Sequence, residues 1–107
     1  MSPVKIIKDK VQKYILVELE AETGPHLWGN PEAQWHKDIA AEMESSGLKI
    51  KSVLGGGKLL PQTATRQIYV WGESSNYGTA DFEKVQRLLQ AEFSDYEVLN
   101  FDPDIKK

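Results

Sequence analysis

Apolar positions alternate in residues 14–20, where Ile15, Val17 and Leu19 fall on one side of an extended chain and Tyr14 and Leu16 on the other. This predicts a strand. Its second side turns acidic at Glu18 and Glu20, so both faces are covered over only part of its length. Residues 4–7 predict a short edge strand ahead of it, with Lys8-Asp9-Lys10 as the turn. Thr23-Gly24-Pro25 and Gly29-Asn30-Pro31 are breakers, and the segment between them, His26 included, reads as loop. The period then changes. Trp35, Ile39 and Met43, with Ala40 beside them, recur at helical spacing, and His36 sits at the margin of this stripe. Asn30 suits the N-cap of that helix, Pro31 its first position and Gly47 its left-handed end.

Residues 49–54 predict a strand, which Gly55-Gly56-Gly57 interrupts; Lys58-Leu59-Leu60 resumes as a short strand before Pro61. Residues 67–71 (Gln-Ile-Tyr-Val-Trp) are strand by composition and alternation. A loop bounded by Gly72 and Gly78 follows. Phe82, Val85, Leu88, Leu89 and Phe93 form the buried stripe of a second helix over residues 81–93, with Thr79 or Asp81 as its cap. Residues 96–101 are the last strand. Helices interleaved with strands predict an α/β sandwich: one domain over residues 1–107, with a mixed sheet of five or six strands and helices packed on its faces.

Composition narrows the function classes. The 107 residues carry 16 acidic and 13 basic side chains, a net charge of −3, so the phosphate-neutralising surface of a general nucleic-acid binder is not expected. A local basic pocket is still compatible. The absence of cysteine excludes thiolate catalysis, disulfides and cysteine-ligated metals. Two histidines without His-x-x-x-His spacing argue against a dedicated zinc site. No apolar run approaches the roughly 20 residues of a membrane-spanning helix. The N-terminus lacks the apolar core of a signal peptide, Ser2 replaces the glycine of a myristoylation site, and no C-terminal cysteine follows Asp104. A cytoplasmic, monomeric protein is the default expectation.

Three segments carry candidate chemistry. Gly55-Gly56-Gly57-Lys58 lets a ligand approach the main chain beside a positive charge, which suits an anion, and equally describes a bend between two strands. It is not a P-loop, because Ser52 stands at the first glycine position and Leu59 replaces the magnesium-binding hydroxyl. Ser74-Ser75-Asn76 ahead of a helix suits a phosphate and is also the composition of an ordinary polar turn. His36 suits a general base or acid, although a lone histidine is more often a packing or surface residue. His26 has no assigned role.

Taken in order, Lys13-Tyr14-Ile15-Leu16-Val17, Trp35-His36-Lys37-Asp38-Ile39, Leu54-Gly55-Gly56-Gly57-Lys58, Ile68-Tyr69-Val70-Trp71-Gly72, Ser74 with Tyr77-Gly78, and Asp95-Tyr96-Glu97-Val98 resemble the protein histidine phosphatase, or Janus, family over residues 13–102. The resemblance implies hydrolysis of phosphohistidine on proteins, and of phospholysine and small phosphoramidates, with no metal or organic cofactor. It places His36 on the family's essential histidine, acting as general base or nucleophile. It places Lys13, Lys58, Gly57, Lys37, Ser74, Ser75 and Asn76 at the phosphoryl group. Lys58 stands where animal members carry arginine, which keeps the charge and loses the bidentate fork. Ser75 and Asn76 stand where they read Met-Ala, and Lys37 where they read alanine. The departures at Lys58, Ser75 and Asn76 motivate an alternative, a non-catalytic regulatory domain that binds a phosphorylated or acidic partner in the same pocket. A third reading is a phosphatase for acyl phosphates.

Overall fold

A computed structural model describes residues 2–104; Met1 and the tail beyond Asp104, which entered the reading of the chain ends, lie outside the described residues. The elements are β1 (Val4–Lys5), β2 (Gln12–Leu19), β3 (Pro25–Asn30), α1 (His36–Ser45), β4 (Ile50–Gln62), β5 (Gln67–Trp71), α2 (Phe82–Glu92) and β6 (Glu97–Asn100). They build one six-stranded sheet in the order β1-β3-β2-β4-β5-β6. The two outer strands pair in parallel, β1 with β3 and β6 with β5, and the four inner ones are antiparallel. The predicted mixed α/β sandwich is therefore the observed fold.

The alternation of β2 divides the core into two layers. Ile15, Val17 and Leu19 join Trp28 of β3 and Ile39 and Met43 of α1 on one side. Tyr14 and Leu16 join Leu27, Leu59, Ile68, Val70 and Val98, and Val85 and Leu89 of α2, on the other. Each helix thus buries an apolar face against the sheet, the main stabilising term for short amphipathic helices, but Trp35, expected in the stripe of α1, is 47% exposed and His36 is buried in its place.

Three expectations are corrected. First, residues 25–30 are a strand and not a loop: β3 pairs with β2 from Lys13↔Asn30 to Glu18↔Pro25. The breakers bracket the strand, with Pro25 at its first position, where a missing N–H is tolerated. His26 is accordingly buried, 3% exposed. Its Nε2 lies 3.6 Å from Glu22 Oε1, and its Nδ1 has no hydrogen-bond partner. Second, the first helix begins at His36, with Trp35 in extended conformation as N-cap. Asn30 closes a local turn instead, its Oδ1 accepting from Glu32 N at 2.8 Å while its Nδ2 donates to Glu42 at 3.1 Å. Asp38 supplies the cap, accepting from Trp35 N at 3.0 Å. Third, the glycine run does not interrupt a strand, since β4 continues through Gly55, Gly56 and Gly57. Pairing with β2 along this stretch overrides the poor strand propensity of glycine.

The remaining boundaries shift by a few residues. The first edge strand is only Val4–Lys5, the last strand is Glu97–Asn100, and α2 is capped by Asp81, which accepts from Glu83 N at 2.9 Å. Gly47 ends α1 with φ of 99°.

Tyr14 anchors the centre of the α2 layer at 2% exposure, and burial pushes its phenol well above the ordinary value of 10.0. Above about pH 10 the unfolded chain gives up this proton and the folded protein retains it. Its stabilising share is complete below that pH and declines as pH rises, by up to about 1.4 kcal/mol per pH unit. Urea midpoints measured at about pH 9 and about pH 11 should fall more steeply in the wild type than in Tyr14→Phe. Equal slopes would contradict a buried, protonated phenol.

Candidate functional site

The site grows from the place where α1 starts above β4. His36 is the first helical residue and is 4% exposed. Its Nε2 lies 2.9 Å from the main-chain oxygen of Gly57. A carbonyl only accepts, so the neutral ring carries its hydrogen on Nε2 and leaves Nδ1 as an acceptor. Nδ1 has no hydrogen-bond partner among the described residues, and it is not sealed from solvent in the way that His26 Nδ1 is.

Gly56 is the seat of this ring. A Cβ built there would stand 2.6 Å from the Tyr14 carbonyl oxygen, 2.9 Å from His36 Cδ2 and 3.3 Å from Ser74 Cβ. Gly57 lies equally close to the Trp71 oxygen, 2.7 Å from its hypothetical Cβ. The glycines of β4 therefore serve close approach on both faces, and the run begins at a register shift where Leu54 is unpaired with β2 and Gly55 has φ of 144°. The sequence marks the whole glycine run as a candidate anion segment, with Gly57 at the phosphoryl group; strand register alone reveals that position 56 faces α1.

Lys13 and Lys58 are Cα partners across β2 and β4. They lie on the α1 side, two pairing positions from Ile15 and Gly56 by alternation. Lys13 is half-buried and Lys58 exposed. Two lysines opposite each other repel and leave a concentrated positive field where the sheet emerges from beneath α1. Lys37 follows His36 and is exposed. None of these three lysines is paired with a carboxylate among the described residues.

The Ser74 loop closes the third side. Ser74 is buried, and its backbone exchanges hydrogen bonds with Gly78 at 3.2 and 2.8 Å. Gly78 in turn accepts from Gly56 N at 3.0 Å, which ties the loop to β4. The Ser74 hydroxyl accepts from Asn76 N at 3.2 Å and Tyr77 N at 3.1 Å. Of the N–H groups of Ser74, Ser75 and Asn76, only that of Ser75 is therefore without a partner among the described residues. Asn76 Oδ1 accepts from Lys37 N at 3.4 Å, which joins the loop to the first turn of α1.

The structure thus gathers His36, Gly57, Lys13, Lys58, Lys37 and the loop of Ser74, Ser75 and Asn76 around one shallow area. No group of three His, Asp or Glu side chains among the described residues is placed to hold a metal ion. No helix among them is long and apolar enough to cross a membrane. The arrangement offers an imidazole nitrogen without a partner, two lysines on adjacent strands and the Ser75 N–H, a combination suited to an oxyanion beside a base.

The chain is similar to characterised sequences over most of its length. It is 31% identical over 108 residues to the human 14 kDa phosphohistidine phosphatase, covering 89% of this chain and 86% of the relative. The pig protein of the same name is 28% identical, with 89% and 85% covered. The sex-regulated protein janus-A of Drosophila pseudoobscura pseudoobscura is 28% identical over 111 residues, with 92% and 74% covered. The model of the Janus/Ocnus family matches residues 1–97. On these matches and this fold, the chain belongs to the Janus/Ocnus family.

Proposed function

We propose that this protein hydrolyses phosphohistidine on proteins, without a metal, with His36 as the reacting base or nucleophile. The observation that carries the reading is the Nε2–Gly57 hydrogen bond, which leaves Nδ1 without a partner on a ring seated at Gly56, two residues along β4 from Lys58, the cross-strand partner of Lys13. The phosphoryl oxygens lie against the two lysines, the Ser75 N–H and the start of α1, and these groups offset the charge that develops there. Nδ1 takes a proton from the attacking water as the new P–O bond forms. The P–N bond breaks as the leaving imidazole nitrogen is protonated, so that histidine and phosphate are the products. In the covalent variant Nδ1 itself takes the phosphoryl group, and water releases it in a second step. The weak P–N bond makes positioning and charge neutralisation the principal tasks of the enzyme. The names of the human and pig relatives support the same substrate class.

The test is phosphate release from a phosphohistidine peptide at neutral pH with a chelator present; wild-type protein should turn over undiminished. Lys13→Ala and Lys58→Ala should each raise KM by about 10-fold or more, the worth of a charge-assisted hydrogen bond, with a smaller effect on kcat. Unchanged kinetics in both would remove the lysine pair from the site.

One observation favours a second reading. The Asn76 side chain occupies the Lys37 N–H, a donor at the start of α1 that would otherwise face the phosphoryl group. A domain that binds a phosphorylated partner without hydrolysing it fits a site altered in this way. Saturable binding of the peptide by folded wild type, with no phosphate release, would establish it.

A further inference from the structure

The two faces of the sheet are not covered to the same extent. α2 lies over Leu59, Ile68, Val70 and Val98, which are 0–4% exposed. The α1 layer draws on β2, β3 and the first part of β4, and it includes no residue of β5 or β6. The residues that alternate with the α2-facing set therefore have no helix above them. Leu60 of β4 pairs with Tyr69 of β5, and Tyr69 with Leu99 of β6, so these three form one row across the open half-face. Trp71 lies in the next row, opposite Lys58. All four are only half-buried. Phe101, two residues beyond Leu99 and 37% exposed, borders the row, its ring 6.1 Å from that of Tyr69. Gln62, Gln67 and Glu97 lie in one row at the far border, and Lys58 at the near one. An apolar centre with a polar rim is the anatomy of a protein-binding surface.

We infer that this open half-face, built on Leu60, Tyr69, Trp71 and Leu99, docks the polypeptide that flanks the phosphorylated histidine, through apolar side chains close to it in sequence. The inference rests on the phosphatase reading for the nature of the group bound at Lys13 and Lys58. The patch is continuous with that site: Trp71 is the cross-strand partner of Lys58, and Leu60 is two residues along the same strand. Strand geometry puts both about 5–7 Å from Lys58, and Leu99 about twice as far. An extended peptide advances about 3.3 Å per residue, so residues two to four positions from the phosphohistidine reach the patch. The charges agree with this placement. A phosphoryl dianion is held at the lysine border, and the flanking apolar side chains cross the centre. A small phosphoramidate fills only the lysine border and touches none of the apolar row.

The experiment compares kcat/KM for three compounds: phosphoramidate, a phosphohistidine peptide with leucine and phenylalanine two to four residues from the phosphohistidine, and the same peptide with serine at those positions. Each is measured with wild type, Leu60→Ser and Leu99→Ser. Wild type should prefer the apolar peptide to the serine peptide by about 10-fold or more, as the burial of two apolar side chains provides. The variants should lose that preference while turning over phosphoramidate within about 2-fold of wild type. Equal wild-type rates on the two peptides overturn the inference without any substitution in the protein. So does a variant that loses phosphoramidate and peptide turnover together, which marks a structural role. If wild type hydrolyses none of the compounds, the phosphatase reading fails. The docking face is then read from peptide affinity: a preference of wild type for the apolar peptide that Leu60→Ser and Leu99→Ser abolish supports it, and equal affinities overturn it. A wild-type dimer that Leu60→Ser dissociates, with no discrimination between peptides, assigns the face to a second copy of the chain instead.

Discussion

His36→Ala should reduce phosphate release from a phosphohistidine peptide by about 100- to 10,000-fold, the range for removing a positioned base. The argument is geometric. The Nε2–Gly57 hydrogen bond occupies one ring nitrogen, and only Nδ1 is left to act on the substrate. His36→Gln sharpens the test, because its amide N–H can reproduce the Nε2 donor to the Gly57 carbonyl while providing no base. Both variants should keep a urea midpoint close to that of wild type, since Ile39 and Met43, and not His36, carry the α1 contact with the sheet. Both should still bind the phosphopeptide through Lys13 and Lys58. Turnover by either variant at the wild-type rate would remove His36 from the mechanism. Loss of turnover together with loss of the cooperative unfolding transition in both would show that the residue serves the fold.

Gly56→Ala should have the second largest effect, on activity and stability together. The added methyl would stand 2.6 Å from the Tyr14 carbonyl oxygen and 2.9 Å from the His36 ring. The carbonyl belongs to a central strand hydrogen-bonded on both sides and cannot withdraw cheaply. The strain resembles overpacking of a core, about 1–3 kcal/mol. The ring is the more mobile neighbour and would shift by a fraction of an ångström to about 1 Å, a displacement that can cost about 100-fold in rate. The expected result is a lower urea midpoint and a fall of about 100-fold in kcat, measured below the unfolding transition. Wild-type kcat and midpoint would show that position 56 is not the seat of the ring.

These two residues show how differently the parts of the site can be read from the chain. His36 stands out by chemistry, as one of two histidines at the edge of a helical stripe. Gly56 is the middle of three identical residues, and nothing local separates it from its neighbours. Its task follows from register: it lies opposite Ile15 in β2 and therefore faces α1, whereas Gly55 and Gly57 face the other way. Local propensity also misreads the whole run, because three glycines weaken an isolated strand and are tolerated in one paired with its neighbours. The segment 25–30 fails for a related reason. It is short, bracketed by Pro25 and by Gly29-Asn30, and its strand character comes from pairing with Val4 on one side and β2 on the other.

The loop of Ser74, Ser75 and Asn76 shows a finer limit. Composition points to N–H groups and hydroxyls able to meet an anion. The folded loop spends most of them internally, on Gly78 and on the Ser74 hydroxyl, and leaves the Ser75 N–H. Hydrogen bonds between residues two to four apart depend on the turn adopted, which a string of polar residues does not specify.

The chain by itself determined what periodicity and side-chain chemistry can express: both amphipathic helices, the strands over Tyr14 and Ile68, the α/β class, and His36 and Lys58 as candidate chemistry, whereas a role for Lys13 came only from the family resemblance. Tertiary structure decided what depends on partners distant in sequence. Pairing of β2 with β4 set the two lysines opposite each other, the seat at Gly56 gave the His36 ring its Gly57 acceptor, and the position of α1 over β2–β4 left half of one sheet face open beside the site. The reason is physical: hydrophobic period selects an element and its buried side, whereas register and helix placement are set by contacts between elements that local sequence does not contain.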